Sequence, residues 1–464
     1  MCFAVAAFPS MQPPFVSSDA DVLQVLQDFS WKVKLVRSSS SVSQLDQTII
    51  ELTLHLAGRR EPLVLELSAD QAERCLRHIT KSTFIVTGAA CTLLAARLYL
   101  TGNERFHKQH LMPLGRVLFS AETAHRLTVF AAKHGLLPRW GSMHEECPQL
   151  ETSLFGKRFK NPVGLAAGLD KHGEAIEGLR KSGFGFVEVG TVTPLPQSGN
   201  PQPRVFRLEE DEAVINRYGF NSVGHGKFRS NLKSAYKPDS DVVVGVNVGQ
   251  NKNSTEPSLD YSVGVSLLGS FCDYLVINVS SPNTPGLRTL QRRAHLEQLL
   301  TVVKEARDRL DHQPKLLLKV APDLSAAEKA DIARVCMNQK YGVDGLIVGN
   351  TTTSRPASLT SALAAEEGGL SGAPLRALST ECVSDFYRLT GGQLVIIGCG
   401  GVSSGKDAYE KIRAGASLVQ LYTAIVYQGF PVVGRIKREL CQCLQKDGFS
   451  HVAQAVGADH RKDS

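Results

Sequence analysis

The ten cysteines of this 464-residue chain form no Cys-x-x-Cys pair and no Cys/His ligand cluster. That excludes a familiar zinc-site spacing, argues against a disulfide framework, and leaves reduced structural thiols as the expectation, with no metal. Basic runs interleaved with aromatics are also absent, and the net charge of +7 is spread along the chain. Nucleic acid is therefore a poor match, while anionic small ligands or an anionic membrane surface suit a mildly basic balance equally well. Residues 1–80 are not arginine-rich and acid-poor: they hold nine Asp/Glu against seven Lys/Arg, with Pro13-Pro14 and a serine run from Ser38 to Ser41. They do not read as an organelle transit peptide. They are expected to be a leader or a small appended module without a recognisable motif, although Leu63-Val64-Leu65 has the look of a strand.

One long apolar run is present. From Phe84 to Leu100 the chain reads FIVTGAACTLLAARLYL, with Arg97 its single charge. Seventeen residues lie at the low edge of what crosses a bilayer, where about 20 are usual, and Arg97 sits near enough to the end to snorkel. A membrane anchor over 81–101 is expected, the alternative being a buried helix. Residues 102–140 follow as amphipathic helical sequence: Phe106, Leu111, Met112, Leu114, Val117 and Leu118 are apolar, and His107, Lys108, Arg116, His125 and Arg126 supply polar heads. Such a segment suits a membrane interface, or ordinary packing onto the next domain.

Beyond residue 140 the pattern turns regular. Short apolar runs at 163–167, 186–192, 242–248, 274–279, 316–320, 345–348, 394–397 and 418–421 alternate with helix-like stretches such as 296–310 and 325–337. Eight buried strands alternating with helices over about 300 residues is the count of a (β/α)8 TIM barrel. The expected fold is therefore α/β, such a barrel over 141–458 with an N-terminal membrane-associated helical segment. A doubly wound open sheet needs no eighth strand.

Active sites of such barrels form at the C-terminal strand ends. Here those ends read Ala166-Ala167-Gly168-Leu169-Asp170-Lys171, Gly190-Thr191, Asn247, Asn278-Val279-Ser280-Ser281-Pro282-Asn283-Thr284, Lys319, Gly349-Asn350-Thr351, Gly398-Cys399-Gly400-Gly401 and Tyr422-Thr423. Small, amide, hydroxyl and lysine groups crowd where a plain core would carry Val and Leu. Amides orient a flat polar ligand, and a hydroxyl can carry a proton. The glycine-rich stretch before the helix at 406–414 is expected to offer backbone N–H groups to a phosphate. Lys171 and Lys319 have two chemical readings, one forming a Schiff base or both staying charged to stabilise anionic groups, and a structural ion pair is the plain alternative for each.

These motifs resemble those of the dihydroorotate dehydrogenases, specifically the membrane-bound class 2 type. AAGLDKHGE, GFGFVEVGTVTP, NRYGFNS, GVNVGQNK, NVSSPNTPGLR, KVAPDL, NTTTSRP, GGLSG, GCGGVSSG and GASLVQLYTA carry the likeness, from about Thr101 to Arg461. The resemblance implies an FMN barrel that oxidises dihydroorotate to orotate in pyrimidine synthesis and reduces ubiquinone, in the mitochondrial inner membrane. It implies Ser281 as the base taking the C5 proton while hydride leaves C6 for the flavin. Lys171, Asn216, Arg217, Tyr218, Gly219, Phe220, Asn278, Asn283, Thr284, Asn350 and Thr351 are then the substrate cradle. Ala166, Ala167, Gly168, Thr191, Asn247, Asn278, Lys319, Gly349, Gly372, Gly401, Tyr422 and Thr423 are implied flavin contacts. Arg116, His125, Arg207 and Tyr422 match positions lining a quinone entrance. Arg116 stands where a mammalian-type enzyme has glutamine, and Gly349 where it has threonine. Serine rather than cysteine at 281 is the class 2 pattern.

Overall fold

The computed structural model describes residues 30–37, 48–55, 69–138, 147–238 and 240–461. The expectations placed on Pro13-Pro14, the 38–41 serines and 63–65 lie outside the described residues. Two compact units are present, Met1–Ala95 and Ala96–Ser464.

In the first unit, β1 (Ser30–Arg37) and β2 (Thr48–His55) pair antiparallel, Val33 opposite Leu52 and Leu35 opposite Ile50. Helix α1 (Ala69–Leu100) begins inside the stretch read as leader. Its apolar part, Arg77–Leu100, is 24 residues long and unburied by the rest of the chain. At 1.5 Å per residue that is about 36 Å, enough to cross a hydrocarbon layer of about 30 Å with some tilt.

In the second unit the amphipathic segment folds as two helical pieces. The first runs through a π-helical turn (His107–Leu111) into α2 (Met112–Leu118), and the second is α3 (Ala121–Lys133). Ser120 caps α3 by accepting the Thr123 N–H at 3.2 Å, a partner the first turn of a helix lacks internally. Leu114, Val117, Leu118, Leu127 and Phe130 remain exposed on these helices.

The remaining chain closes a parallel barrel of eight strands: β5 (Val163–Leu165), β6 (Phe186–Val192), β9 (Val243–Val248), β10 (Tyr274–Asn278), β11 (Lys315–Val320), β12 (Gly345–Val348), β14 (Val395–Cys399) and β15 (Leu418–Leu421). All eight expected runs are strands, and closure from β15 back to β5 excludes the open sheet. A hairpin, β3 (Thr152–Leu154) with β4 (Lys157–Phe159), precedes the barrel, and Phe159 packs edge-on to Phe186 at 5.8 Å in the barrel core. Three further strands, β7 (Val205–Leu208), β8 (Ala213–Asn216) and β13 (Gly369–Gly372), form a small antiparallel sheet in the order β13-β8-β7.

Period-two alternation explains the interior. Phe186, Val243, Tyr274, Val276, Leu317, Ile397 and Leu418 form the buried core inside the barrel. Each such side chain contributes about 1.5–3 kcal/mol of burial. Gly164 is required by close approach, since a Cβ there would lie 2.2 Å from the Phe186 ring. One pleat further along, the same face turns polar with Glu188, Asn247, Asn278, Lys319 and Gln420, all buried. A large barrel whose helices cover its outside can afford that polar layer only if every member finds a partner.

The thiol expectation is corrected in one place. Cys147 and Cys441, 294 residues apart, are joined as a disulfide. Packing of the Pro148–Leu150 turn against the helix Val432–Lys446 brings them together, and no local spacing announces it. Cys91, Cys272, Cys336, Cys382, Cys399 and Cys443 are free.

Candidate functional site

A cavity of about 450 Å³ opens at the C-terminal ends of the barrel strands. Its floor is the polar layer. Asn278 donates to Thr191 Oγ1 and to Asn247 Oδ1, both at 3.0 Å, and Thr191 donates to Asn247 at 2.6 Å. Asn247 donates in turn to Glu188 Oε1 at 2.8 Å, and Gln420 to Glu188 Oε2 at 2.6 Å. Lys319 Nζ stands 3.3 Å from Glu188. Burial by itself pushes the Lys319 ammonium down, but the Glu188 carboxylate more than offsets it and its pKa is raised. Lys319 is thus a held cation and not the neutral amine a Schiff base needs. Glu188 carried no expectation in the sequence; the signal was an acid in the otherwise apolar run FVEV.

Above the floor, Ser280 donates to Asn278 Oδ1 at 3.1 Å, Asn350 donates to Ser280 at 2.9 Å, and Asn283 reaches Asn216 at 3.4 Å. Ser281, buried, accepts the Asn283 N–H at 3.3 Å and faces the cavity. Among the described residues no imidazole or carboxylate is hydrogen-bonded to its hydroxyl, so a proton it takes needs a further carrier such as water. Pro282 breaks the strand after Asn278 and turns this run across the mouth. Arg288 fixes the loop from behind through the carbonyls of Ser280 and Thr351 and the carboxylate of Asp323.

The cavity wall contains Ala166, Ala167, Gly168, Lys171, Thr191, Asn216, Tyr218, Gly219, Phe220, Asn278, Ser281, Asn283, Lys319, Asn350, Thr351, Gly372, Gly401, Tyr422 and Thr423, so most of the residues singled out in the sequence meet here. Four do not line it. Arg217 turns to Glu366 at 2.7 Å, Asn247 supports the wall from behind, Thr284 is buried with its hydroxyl unpartnered, and Gly349 packs so closely that a Cβ would meet the Cys399 carbonyl at 2.0 Å. Cys399 and Gln420 line the cavity unanticipated.

The phosphate expectation needs correction in its detail. The helix after the glycine-rich stretch, Gly405–Arg413, has its first turn already occupied: Ser404 accepts the Asp407 N–H, and Glu439 accepts that of Gly405 at 2.6 Å. Carboxylates already exploit the positive end of that helix. What faces the cavity instead is the loop Gly400–Ser403 together with the start of the helix Thr423–Gln428. Gly401, at φ +70°, also lets this loop close on Arg376, whose Cα would lie 2.4 Å from a Cβ.

The rest of the cavity is apolar. Leu111, Met112, Ala124, Leu127, Thr128, Ala131, Leu137, Pro138 and Phe430 line an arm between α2, α3 and the barrel, and Arg116, His125, Arg207 and Tyr422 all contribute to it. Arg116 lies over the Tyr427 ring at 5.2 Å and beside Glu209 at 3.1 Å. Arg207 donates to the carbonyls of Arg116 and Phe119, both at 2.9 Å. His125 donates from Nε2 to the Leu169 carbonyl at 2.7 Å, so its Nδ1 accepts the Tyr218 hydroxyl at 2.9 Å. Burial holds His125 down to about 4, hence neutral.

Fold and site together define a barrel enzyme whose cavity is polar and charged at its floor and mostly apolar along a second arm. The family model for dihydroorotate dehydrogenase matches residues 149–444, and the chain belongs to that family, in its quinone-dependent class. It is 51% identical to the mitochondrial dihydroorotate dehydrogenase (quinone) of Mus musculus, covering 84% of this chain and 100% of that one. It is 53% identical to the dihydroorotate dehydrogenase (quinone) of Xanthobacter autotrophicus over 76% of this chain and 98% of the relative. Among solved structures, the Eimeria tenella enzyme in complex with ferulenol shares 45% identity, covers 74% of this chain and 96% of its own, and superposes with a TM-score of 0.71. A second family model, for the COMM domain, matches residues 23–74, where the sequence offered no recognisable motif.

Proposed function

We propose that this chain oxidises dihydroorotate to orotate and reduces a quinone, with FMN as its resident cofactor and ubiquinone as the acceptor, in pyrimidine synthesis. The observation that carries the reading is the convergence, in one cavity, of Ser281, Lys171 and four asparagines at a polar end with an apolar arm at the other. The residues suit a flavin: Thr191, Asn278 and Lys319 would hold its ring at the polar floor, the Lys319 cation would offset negative charge there, and the 400–403 loop and the Thr423 helix start would take its phosphate. When bound, that cofactor supplies the two-electron chemistry linking substrate to quinone.

Ser281 is assigned as the group that accepts the substrate proton. Lys171 holds the substrate carboxylate, and Asn216, Asn278, Asn283, Asn350 and Thr351 hold its amide edges, with the Tyr218-Gly219-Phe220 turn covering them. Burial and the Arg204 charge lower Lys171 to about 8, so it is charged at neutral pH and loses that charge as pH rises past 8. Arg116, His125, Arg207 and Tyr422 are assigned to the quinone arm. Helix α1 is assigned as a single membrane pass over about 81–101, and 102–140 as an interfacial entrance whose exposed Leu and Phe side chains rest in lipid. The relatives named as mitochondrial, with this helix, support a mitochondrial membrane, and the inner membrane is the proposed site.

The test is an absorption spectrum. Purified protein should be yellow, bleach under anaerobic dihydroorotate, and regain colour on adding a quinone. A colourless protein that cannot be reconstituted with FMN refutes the assignment.

A further inference from the structure

Helix α3 presents two faces to two different ends of the cavity. Ala121, Ala124, Leu127, Thr128 and Ala131 line the apolar arm. From the same helix, Glu122 and His125, neighbours at i and i+3, reach the substrate end. Glu122 takes a two-pronged pair from Arg204, at 2.8 and 3.1 Å, with both side chains largely buried. Arg204 also donates to the carbonyls of Ser198 and Asn200, at 2.7 and 2.9 Å. Its guanidinium lies 5.0 Å from the centre of the Tyr218 ring, against which Lys171 Nζ also sits, at 4.3 Å. The Tyr218 hydroxyl is tied back to His125. Tyr218 is thus a hub joining one entrance helix to the lysine assigned to the substrate carboxylate.

We propose that Glu122 is a positioning residue for substrate binding: acting through Arg204 and Tyr218, it keeps the Lys171 ammonium in place and charged, so that α3 is a wall shared by the substrate and quinone ends. This rests on the substrate reading above.

The charges around Lys171 support it. Arg204 lowers the lysine and Glu122 raises it, after burial, which lowers it most. The neighbouring imidazoles of His125 and His172 both have lowered pKa values, chiefly from burial. The Asp170 carboxylate is committed to the N–H groups of His172, Glu174 and Ala175. Glu122 itself is held down to about 2, first by its hydrogen bond with Arg204, so it is ionised at every working pH. Removing its charge leaves Arg204 uncompensated beside Lys171.

The experiment titrates orotate into the full-length, FMN-loaded chain by calorimetry between pH 6 and 10. In the parent protein, affinity should fall as pH rises past about 8. In Glu122→Gln that limb should move down by on the order of one pH unit, making orotate binding about fivefold weaker at pH 8 and about tenfold weaker from pH 9 upward. Arg126→Ala, which removes the exposed partner of Glu122, should leave the limb in place. In Glu122→Gln/Arg204→Gln the limb should return toward the parent position, because the depressing cation leaves with the carboxylate that screens it. Should Glu122→Gln fail to retain FMN, Arg204→Gln alone carries the test, with its limb expected to move up. An unmoved limb in whichever variant folds overturns the proposal, and so does a loss of affinity equal at all pH values. A parent protein whose flavin dihydroorotate does not bleach refutes instead the underlying assignment, before any variant is made.

Discussion

The floor of the cavity and its apolar arm lie within one unit yet are built on opposite principles. At the floor, Thr191, Asn247, Asn278, Lys319 and Glu188 are at most 7% exposed, and each polar group is bonded to another. On α2, beside the arm but outside its lining, Val117 is 84% exposed and Leu118 62%, while α3 is tied to the chain beyond it by the Glu122–Arg204 pair. A satisfied buried network fixes its geometry before any ligand arrives. Exposed apolar helices complete their burial only against lipid or ligand. The floor is suited to chemistry that tolerates little displacement, and the arm to admitting a greasy molecule.

Changes at the floor should be severe and local. Ser281→Ala is expected to slow anaerobic flavin reduction by dihydroorotate about 10²–10⁴-fold while orotate affinity changes little, as stopped-flow and calorimetry would show; near-normal reduction would mean that another group takes the proton. Next in size, Glu188→Ala strands the Lys319 cation, and breaking one side of a buried pair costs about 3–5 kcal/mol. Denaturant unfolding of the FMN-loaded chain measures this, and a loss below about 1 kcal/mol would show that water reaches the floor.

Outside both regions, deleting residues 1–95 should weaken flotation with liposomes to what the exposed Leu and Phe side chains of α2 and α3 retain, and leave flavin reduction by dihydroorotate at the parent rate. A matching drop in reduction would show that the deleted segment also supports the floor. The link between floor and arm should yield to acid: Glu122 has its carboxyl lowered from 4.5 to about 2, so the stability it lends is fully present above about pH 4.5 and lost as pH falls toward 2. Fluorescence from a probe on α3 should report detachment in that window. The smallest change expected is for Arg116→Gln, a few-fold shift in the affinity of a quinone analogue with orotate binding untouched.

Much of this architecture was legible beforehand, for reasons tied to particular residues. The eight apolar runs stand out because a strand buried on both faces must be continuously hydrophobic, and the amides and lysines at their ends stand out against that background. Ser281 and Lys171 were visible for the same reason. Glu188 was not, because one acid in FVEV says nothing of the lysine it meets 131 residues later. Neither was the Cys147–Cys441 disulfide, nor the capping of the Gly405–Arg413 helix by Glu439, since each pairs residues distant in sequence. Helix α3 was read as membrane-interface sequence from its apolar face, with His125 and Arg126 as polar heads, and Glu122 carried no expectation.

The strand count, the barrel and the polar groups at its mouth are written in the order of residues, because periodicity and composition are local properties that burial imposes directly. Which charge answers which emerges only once the chain is folded. Lys319 is answered by Glu188 and Arg204 by Glu122, while Lys171 sits over the Tyr218 ring with no carboxylate paired to it among the described residues, since such pairings depend on distances of a few ångströms between segments that chain order does not bring together.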